Sequence, residues 1–376
     1  MVGIIAFGAY APRLRLQRQV IAAAGGWFNS SLKGLAKGER AMANWDEDTV
    51  TMAVEAARDC LIDLDRARVA KVVLASTSLP FADRQNAGIV KEALNLSDAT
   101  ASMDVTGSQR AGASALVDAL YAAGGGAGEV LCLASERRKA QPASELEATG
   151  ADAAAGFLVG QADPLAVFLG GHSVSIDFVD HFRAEGHDYD YGWEARWVRD
   201  EGYGKIAPAA IKAALAKLGL AAGDIDRFVM AAPMKGVNDA VAKACGFRPE
   251  AVQDPLAAEL GDAGAAQPLI LLARALETAK PDQTILVAAF GQGCDVLVFR
   301  TTAALAAPSS RLGVGGWLAR RKPESNYIKY LFFSGQLALD KGMRAEFDQK
   351  TSLTALYRSR KAVMALVGGQ IGRAHV

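Results

Sequence analysis

The chain is predicted to be an α/β protein made of two similar halves, and two features of its sequence support this. Apolar segments of strand length alternate with alanine-rich amphipathic helices, which is typical of sheets covered by helices on both faces. The same order of elements also occurs twice, roughly 155 residues apart, as expected of a duplicated unit. We therefore expect mixed, mainly parallel sheets sandwiched by helices.

Four elements recur in the same order in the two copies. The first is a helix, at residues 51–61 and again at 208–218. The second follows an acidic turn and is an apolar strand with a proline loop, at residues 71–80 and again at 228–233. The next two are a helix and a strand, at residues 111–123 and 129–134 and again at 267–279 and 284–289. Duplication explains this match better than chance likeness among alanine-rich helices. It predicts halves at residues 1–165 and 166–302.

The composition of the chain changes after the second half. Pro308, two following serines and several glycines predict a linker over residues 303–318. The segment beyond it is richer in Arg and Lys and contains closely spaced aromatic residues. We therefore expect residues 303–376 to form a linker and a C-terminal extension that docks a partner.

Composition argues against several classes of protein. Lys and Arg together number 41, as do Asp and Glu, so the formal charge is zero and nucleic acid is not an expected partner. The longest apolar runs have strand length, so no membrane span is expected, and the N-terminus lacks the pattern of a signal peptide. The four cysteines are far apart and form no C-x-x-C pair, which argues against disulfides and a metal site and favours the cytoplasm.

Residues 104–116 read as a strand end, a tight turn of small residues and the start of a buried helix. Such a turn exposes one side chain at a helix N-terminus, where backbone N–H groups point at a ligand, and it is a common place for a nucleophile. The exposed position is occupied by Gln109, which is not a nucleophile. Its neighbour Ser108 would need a base to activate it.

Three more segments share a pattern with a known family: residues 2–12 (VGIIAFGAYAP), 43–53 (ANWDEDTVTMA) and 261–266 (GDAGAA). With the turn at Gln109, they resemble the thiolase superfamily over about residues 1–302, in particular hydroxymethylglutaryl-CoA synthases and β-ketoacyl synthase III enzymes. The resemblance implies a five-layer αβαβα thiolase fold, a dimer, acyl-CoA or CoA as ligand without a bound cofactor, and acyltransferase chemistry.

Residues 351–360 are similar to the entry into a DUF35-type domain, which contains an OB-fold and associates with thiolase-like proteins. The resemblance therefore implies a homodimer, or a hetero-oligomer with a thiolase or a DUF35-type OB-fold protein. We expect the OB-fold domain either to have been removed from this chain or to belong to another.

The family's condensing residues are replaced in this chain. The positions that resemble the family's cysteine, histidine, asparagine and glutamate hold Gln109, Ala231, Asp262 and Thr77. Claisen chemistry needs a thiolate to accept the acyl group and a histidine for proton transfer or oxyanion binding. We therefore expect an acyl-CoA-binding subunit that lacks its own condensing centre.

The alternative is an active enzyme that uses other residues. Gln109 could mimic an acylated thiol, as in some decarboxylating ketosynthases, and Asp262 or Cys294 could supply other chemistry. The resemblance places Gly291 and Gly293 beside the active site, and the cations that could meet CoA phosphates are Arg110, Arg137, Arg138 and Lys139. The segment 187–193, rich in aromatic and acidic residues, could be the mouth of a pocket or a plain surface loop.

Overall fold

The computed structural model describes residues 1–340, so the segment at 351–360 lies outside the described residues. The chain divides into a compact unit, Met1–Tyr330, and a second unit, Leu331–Val376. No helix within the described residues combines the length and the apolar character that crossing a membrane requires.

The strands of the described residues are named in chain order. They are β1 (Gly3–Tyr10), β2 (Leu14–Gln17), β3 (Glu39–Ala41), β4 (Val69–Ala75), β5 (Ala101–Val105), β6 (Glu129–Arg137), β7 (Asp152–Gly160), β8 (Ala166–Ser175), β9 (His181–Phe182), β10 (Tyr191–Gly192), β11 (Arg227–Met230), β12 (Thr284–Phe290), β13 (Gly293–Thr301) and β14 (Lys322–Glu324).

The α-helices are named in the same way. They are α1 (Arg18–Gly25), α2 (Thr49–Cys60), α3 (Asn86–Ala93), α4 (Ala111–Gly124), α5 (Glu145–Thr149), α6 (Ala195–Trp197), α7 (Ala207–Leu218), α8 (Val237–Cys245), α9 (Gln267–Thr278), α10 (Gly313–Ala319) and α11 (Tyr327–Phe333). A π-helical segment, Val198–Ile206, joins α6 to α7.

The main sheet contains the repeat that the sequence predicts. Its strand order is β11-β12-β13-β8-β1-β7-β6-β4-β5, so the two halves meet where β1 pairs with β8. Counted outward from this junction, β8, β13, β12 and β11 of the second half correspond to β1, β7, β6 and β4 of the first. In the second half, the counterpart of the edge strand β5 is reduced to a single bridge between Phe228 and Val252.

Parallel pairing is confined to the two ends of the sheet. β4 pairs in parallel with both β5 and β6, and β11 pairs in parallel with β12. The pairs between these ends are antiparallel. The sheet is therefore mixed, as expected, but it is not mainly parallel, because each half contains a strand that returns in the opposite direction at its centre.

Alternate residues of the strands face two different apolar layers, as the pleat requires. Val73 and Cys132 point into the cluster that contains α4 and α9, whereas Val72 and Leu131 point into the cluster that contains α2 and α3. In the second half, β11, β12 and β13 also pack against α7 and α8. The helices α4 and α9 therefore lie between the two halves of the sheet, with α2 and α3 outside the first half and α7 and α8 outside the second. The layers are helix, sheet, helix, sheet and helix, which confirms the thiolase fold.

The central helix α4 depends on small side chains for its position. A Cβ at Gly112 would collide with the carbonyl oxygen of Ala265 and lie 3.1 Å from the Cβ of Ala134. Because no side chain intervenes, the loop before α9 can lie directly against the first turn of α4. This close approach brings Asp262 and Gly264 to the same place as Gln109.

The stretch predicted to be a linker is instead integrated into the first unit. The backbone N–H groups of Leu312 and Gly313 donate to the carboxylate of Asp59, at 2.6 and 2.9 Å. The next N–H groups donate to the carboxylate of Glu277, and α10 packs on β1. Since β14 then pairs with β2, residues 303–330 complete the fold, and the flexible composition of this stretch was misleading.

Gly8 offers a test of the packing between β1 and α2. A Cβ at this position would lie 2.7 Å from the Cα of Cys60 and still closer to its backbone nitrogen, so strand and helix would have to separate. We expect Gly8→Ala to lower the free energy of unfolding by about 3 kcal/mol, at the upper end of overpacking effects.

Gly34→Ala is the matched control, because a Cβ there meets no atom within 4 Å. Urea unfolding followed by circular dichroism measures both variants. Equal stability of the two would contradict the packing described for Gly8.

Candidate functional site

Gln109 lies in the turn that leads into α4 and is half-buried. The turn is made by Gly107, whose φ of 96° is in the left-handed region that favours glycine. Ser108 is part of the same turn, since its hydroxyl accepts from the N–H of Arg110 at 3.2 Å and its carbonyl accepts from the N–H of Ala111 at 3.1 Å. Ser108 therefore has a structural role in the turn.

The amide of Gln109 is held at both ends. Arg138 donates from Nη1 to Gln109 Oε1 at 2.8 Å, and Gln109 Nε2 lies 2.7 Å from His181 Nε2. Arginine has no acceptor, so the atom it faces must be the amide oxygen, and the amide nitrogen must donate to the imidazole. The proton of the neutral imidazole is then on Nδ1, which donates to Asp180 Oδ2 at 3.0 Å.

We call this line of side chains the Gln109 relay: Arg138, Gln109, His181 and Asp180. Two polar atoms of the relay, Arg138 Nε and Asp180 Oδ1, are buried and have no hydrogen-bond partner among the described residues. Buried polar atoms are normally satisfied, so these two are unusual. The side chains of Arg138 and Asp180 are 7% and 9% exposed.

Thr77 contacts a buried carboxylate next to this relay. Its hydroxyl and its N–H both donate to Glu136 Oε2, at 2.9 and 3.1 Å, while the hydroxyl groups of Ser76 and Ser78 donate to Oε1. Glu136 itself is fully buried. The position that resembles the family's glutamate is therefore occupied by a hydroxyl that satisfies another acid, and Glu136 was not found from the sequence.

Asp262 forms the turn that places Gly264 against Gln109. Its Oδ1 accepts from the N–H of Gly264 at 3.1 Å, and its backbone joins the strand-like bridge with Gly150. A Cβ at Gly264 would lie 2.6 Å from Gln109 Oε1, so only glycine allows this contact. Burial disfavours the charge of Arg138, but the carboxylates of Asp262 and Asp190 outweigh it and raise the pKa of Arg138.

The hairpin formed by β9 and β10, which we call the site hairpin (residues 180–192), covers this cluster. Asp190 forms ion pairs with Arg183 and, at 3.9 Å, with Arg138 Nε, and its N–H donates to the carbonyl of Lys139 at 2.8 Å. Arg183 also donates to the carbonyl of Thr77. The hairpin therefore contacts the positions of Thr77, Gln109 and Arg138 together.

The sequence did not indicate His181, Asp180 or Arg183 as site residues, whereas Asp190 lies within the segment 187–193 that was a candidate pocket mouth. An acid directly before a histidine, at residues 180–181, is the local signal that could have extended this interpretation to the whole hairpin. The position of the hairpin against α4 depends on contacts between residues that are more than 70 positions apart in the sequence.

Ala231 lies at the end of β11, and its methyl group packs against the apolar cluster of α4 and α9. A methyl group cannot transfer a proton. Tyr203, which was also missed, lies on the π-helical segment and is buried. Burial and then the charges of Asp262 and Asp180 raise the pKa of Tyr203, so its phenol stays neutral beside the relay.

The glycine-rich loop and Arg110 have structural partners. Arg110 Nη1 lies 2.9 Å from both oxygens of Asp295, and Arg110 Nε donates to the carbonyl of Gly291 at 2.9 Å. Gly293 has a φ of 117°, and a Cβ there would collide with the carbonyl of Val174. These contacts use Arg110 and Gly293 to fix the loop beside Gln109.

The remaining candidates for ligand contact are Arg137, Lys139 and Cys294, and they differ in whether a ligand could reach their side chains. Arg137 donates to the carbonyl of Glu47 at 3.1 Å, whereas Lys139 is exposed at the rim of the site. Cys294 is fully buried, and burial, followed by the charge of Asp295, raises the pKa of its thiol. Within residues 1–340, no group of His, Cys, Asp and Glu has the arrangement of a metal site.

The fold and site can now be compared with known proteins. Residues 215–299 match the family model described as 3-oxoacyl-[acyl-carrier-protein] synthase III C terminal. Among solved structures, a hydroxymethylglutaryl-CoA synthase complexed with CoA superimposes with a TM-score of 0.78 at 18% identity, covering 90% of this chain and 92% of that one. The 3-oxoacyl-[acyl-carrier-protein] synthase III of Aquifex aeolicus gives 0.70 at 17% identity, covering 80% and 100%.

Sequence similarity extends over most of the chain. The hydroxymethylglutaryl-CoA synthase of Aeropyrum pernix is 30% identical over 346 residues, which are 90% of this chain and 96% of that protein. The enzyme of the same name from Methanococcoides burtonii is 30% identical over 311 residues, covering 80% and 88%. The chain therefore belongs to the hydroxymethylglutaryl-CoA synthase family of the thiolase superfamily.

Proposed function

We propose that this protein is an acyl-CoA-binding subunit of a cytoplasmic acyltransferase or thiolase-type complex, and that its own condensing centre has been lost. The observation that carries the proposal is the Gln109 relay. An amide occupies the nucleophile position, and Arg138 and His181 hold both of its ends. The turn, the helix and the glycine-rich loop of a condensing enzyme are kept around a group that cannot accept an acyl chain.

The lost chemistry is not replaced by another thiol. The four cysteines of the chain all lie in the described part and are all buried. Burial raises the pKa of Cys60 to about 12 and that of Cys245 to about 11, and it raises those of Cys132 and Cys294 as well. Since the thiolate is the reactive form, Cys294 is a poor candidate for an alternative nucleophile.

The proposed ligand follows from the family and from the rim of the site. Relatives of known structure were solved with CoA, with 3-hydroxy-3-methylglutaryl coenzyme A and with an apo donor acyl-carrier protein. Lys139, and Arg137 on the same loop, place positive charge at the rim, where a CoA phosphate would be attracted. We propose a CoA thioester, with no bound cofactor, as the ligand.

The proposed assembly is a homodimer, or a hetero-oligomer with a thiolase that supplies the catalytic cysteine. The edge strand β5 is unpaired on its outer side within the described sheet, and paired edges are a common way of joining subunits. The DUF35-type OB-fold partner rests on the resemblance at residues 351–360 and is proposed on that ground alone.

A second candidate function is an active decarboxylase built on Gln109. Such a decarboxylase resembles its parent enzymes in keeping a histidine, which Ala231 does not provide. The imidazole of His181, 2.7 Å from the Gln109 amide, is the one observation that favours this function, because it supplies a histidine at the site. Asp262 is a weaker candidate for catalysis, since its carboxylate supports the turn at Gly264.

Calorimetry with acetyl-CoA tests the proposed ligand. We expect saturable binding, weakened about fivefold by Lys139→Ala because an exposed cation near a phosphate contributes up to about 1 kcal/mol. Lys212→Ala, an exposed lysine on α7, should bind like the original protein. Absence of binding up to millimolar acetyl-CoA would leave only a structural role.

Release of CoA from acetyl-CoA and acetoacetyl-CoA tests the loss of condensation. The isolated chain should show no turnover above buffer, because the amide of Gln109 cannot accept an acyl group. The Aeropyrum pernix relative is the positive control. Turnover that Cys294→Ala abolishes would instead establish an active enzyme, and loss of carboxylate from malonyl-CoA would establish the second candidate.

Thiol labelling tests the environment of the cysteines. With an aromatic disulfide reagent at pH 8, we expect less than one thiol to react in the folded protein within minutes and four to react after unfolding in guanidinium, because all four are buried. Rapid labelling of one thiol that Cys294→Ala removes would show that the glycine-rich loop exposes a reactive group.

A further inference from the structure

The site contains a histidine and an acid that the family positions do not provide. The relay places His181, from the site hairpin of the second half, against Gln109 of the first half. Asp180 fixes the tautomer by accepting from Nδ1, so the lone pair of Nε2 faces the centre of the site. This is the arrangement of an oriented general base.

We propose that His181 is a proton-transfer residue that removes the α-proton of a bound CoA thioester. The inference rests on the proposed acyl-CoA binding and goes beyond it, because it assigns chemistry to a site without a nucleophile. The proposed substrate class is any acyl-CoA with a hydrogen on the carbon next to the thioester carbonyl.

Gln109 provides the complementary group for the thioester oxygen. Arg138 donates to the amide oxygen, and this charge-assisted bond strengthens the amide nitrogen as a donor. A thioester oxygen that gains negative charge is a better acceptor for this N–H than a neutral imidazole. As the α-proton leaves the carbon, this N–H therefore shifts from His181 Nε2 to the oxygen, and Nε2 takes up the proton.

The two buried polar atoms without partners support a ligand at this place. Arg138 Nε and Asp180 Oδ1 lie at opposite ends of the relay, and neither has a hydrogen-bond partner among the described residues, although Arg138 Nε lies 3.9 Å from a carboxylate oxygen of Asp190. Burial of such groups is costly unless a ligand or water completes their hydrogen bonds.

The proposed step balances without a further reactant. The Cα–H bond breaks, and its proton forms the Nε2–H bond of His181. The electron pair of the Cα–H bond forms a carbon–carbon double bond, and the carbonyl π electrons move to the oxygen that Gln109 holds. Return of a proton from His181 restores the thioester, so the net reaction in heavy water is exchange of hydrogen for deuterium.

The test is deuterium incorporation into acetyl-CoA and propionyl-CoA by the full chain in heavy water, followed by mass spectrometry. We expect exchange at least tenfold above buffer. His181→Ala should reduce it to the buffer rate. Asp180→Asn should reduce it at least tenfold, because an amide can donate to Nδ1 and would move the imidazole proton to Nε2.

His172→Asn is the control, because His172 lies on β8 in a separate cleft with Tyr121 and Lys217 and takes no part in the relay. Thermal unfolding and acetyl-CoA calorimetry on each variant separate loss of chemistry from loss of folding or binding. Binding without exchange, or exchange that survives in folded His181→Ala, would overturn the proton-transfer role and leave the proposed subunit function standing. Absence of binding would overturn both.

Discussion

The ion pair between Arg110 and Asp295 is the interaction on which the geometry of the site depends. Arg110 precedes the first turn of α4, where a positive charge is unfavourable next to the helix N-terminus. Asp295, on β13 of the other half, is 1% exposed and compensates this charge with both oxygens. Removing one partner of such a buried pair leaves an uncompensated charge and typically costs about 3–5 kcal/mol. Gln109 is the residue before Arg110, so the pair also fixes its distance from the glycine-rich loop.

Patterns in the sequence were sufficient to predict the fold. The period of the apolar residues predicted the individual helices and strands, because each such signal lies within about 15 consecutive residues, and the recurrence of four elements roughly 155 residues apart predicted the repeat. The turn at Gln109 was equally local. The prediction of a linker at residues 303–318 was wrong because it rested on local composition alone. That composition does not indicate that the backbone of this stretch donates hydrogen bonds to the carboxylates of Asp59 and Glu277.

The relay could not have been predicted in this way. His181 meets Gln109 through a hairpin whose own strands have two residues each, and its position is set by Asp190 and Arg183. Such register depends on long-range polar contacts, which leave no periodic signal in a single sequence. The replacements at Thr77 and Asp262 were predicted as positions, but their new partners, Glu136 and Gly264, became visible only in three dimensions. Thr77 and Asp262 are therefore integrated into the hydrogen bonds of the site.

The C-terminal segment has a mechanical consequence for the whole molecule. Four consecutive N–H groups, from Leu312 to Gly315, bind one carboxylate on α2 of the first half and one on α9 of the second. The segment is thus a clamp that ties the halves together. A molecule clamped in this way resists hinge motion between its halves. Any rotation of one half against the other would first have to break the hydrogen bonds to Asp59 and Glu277.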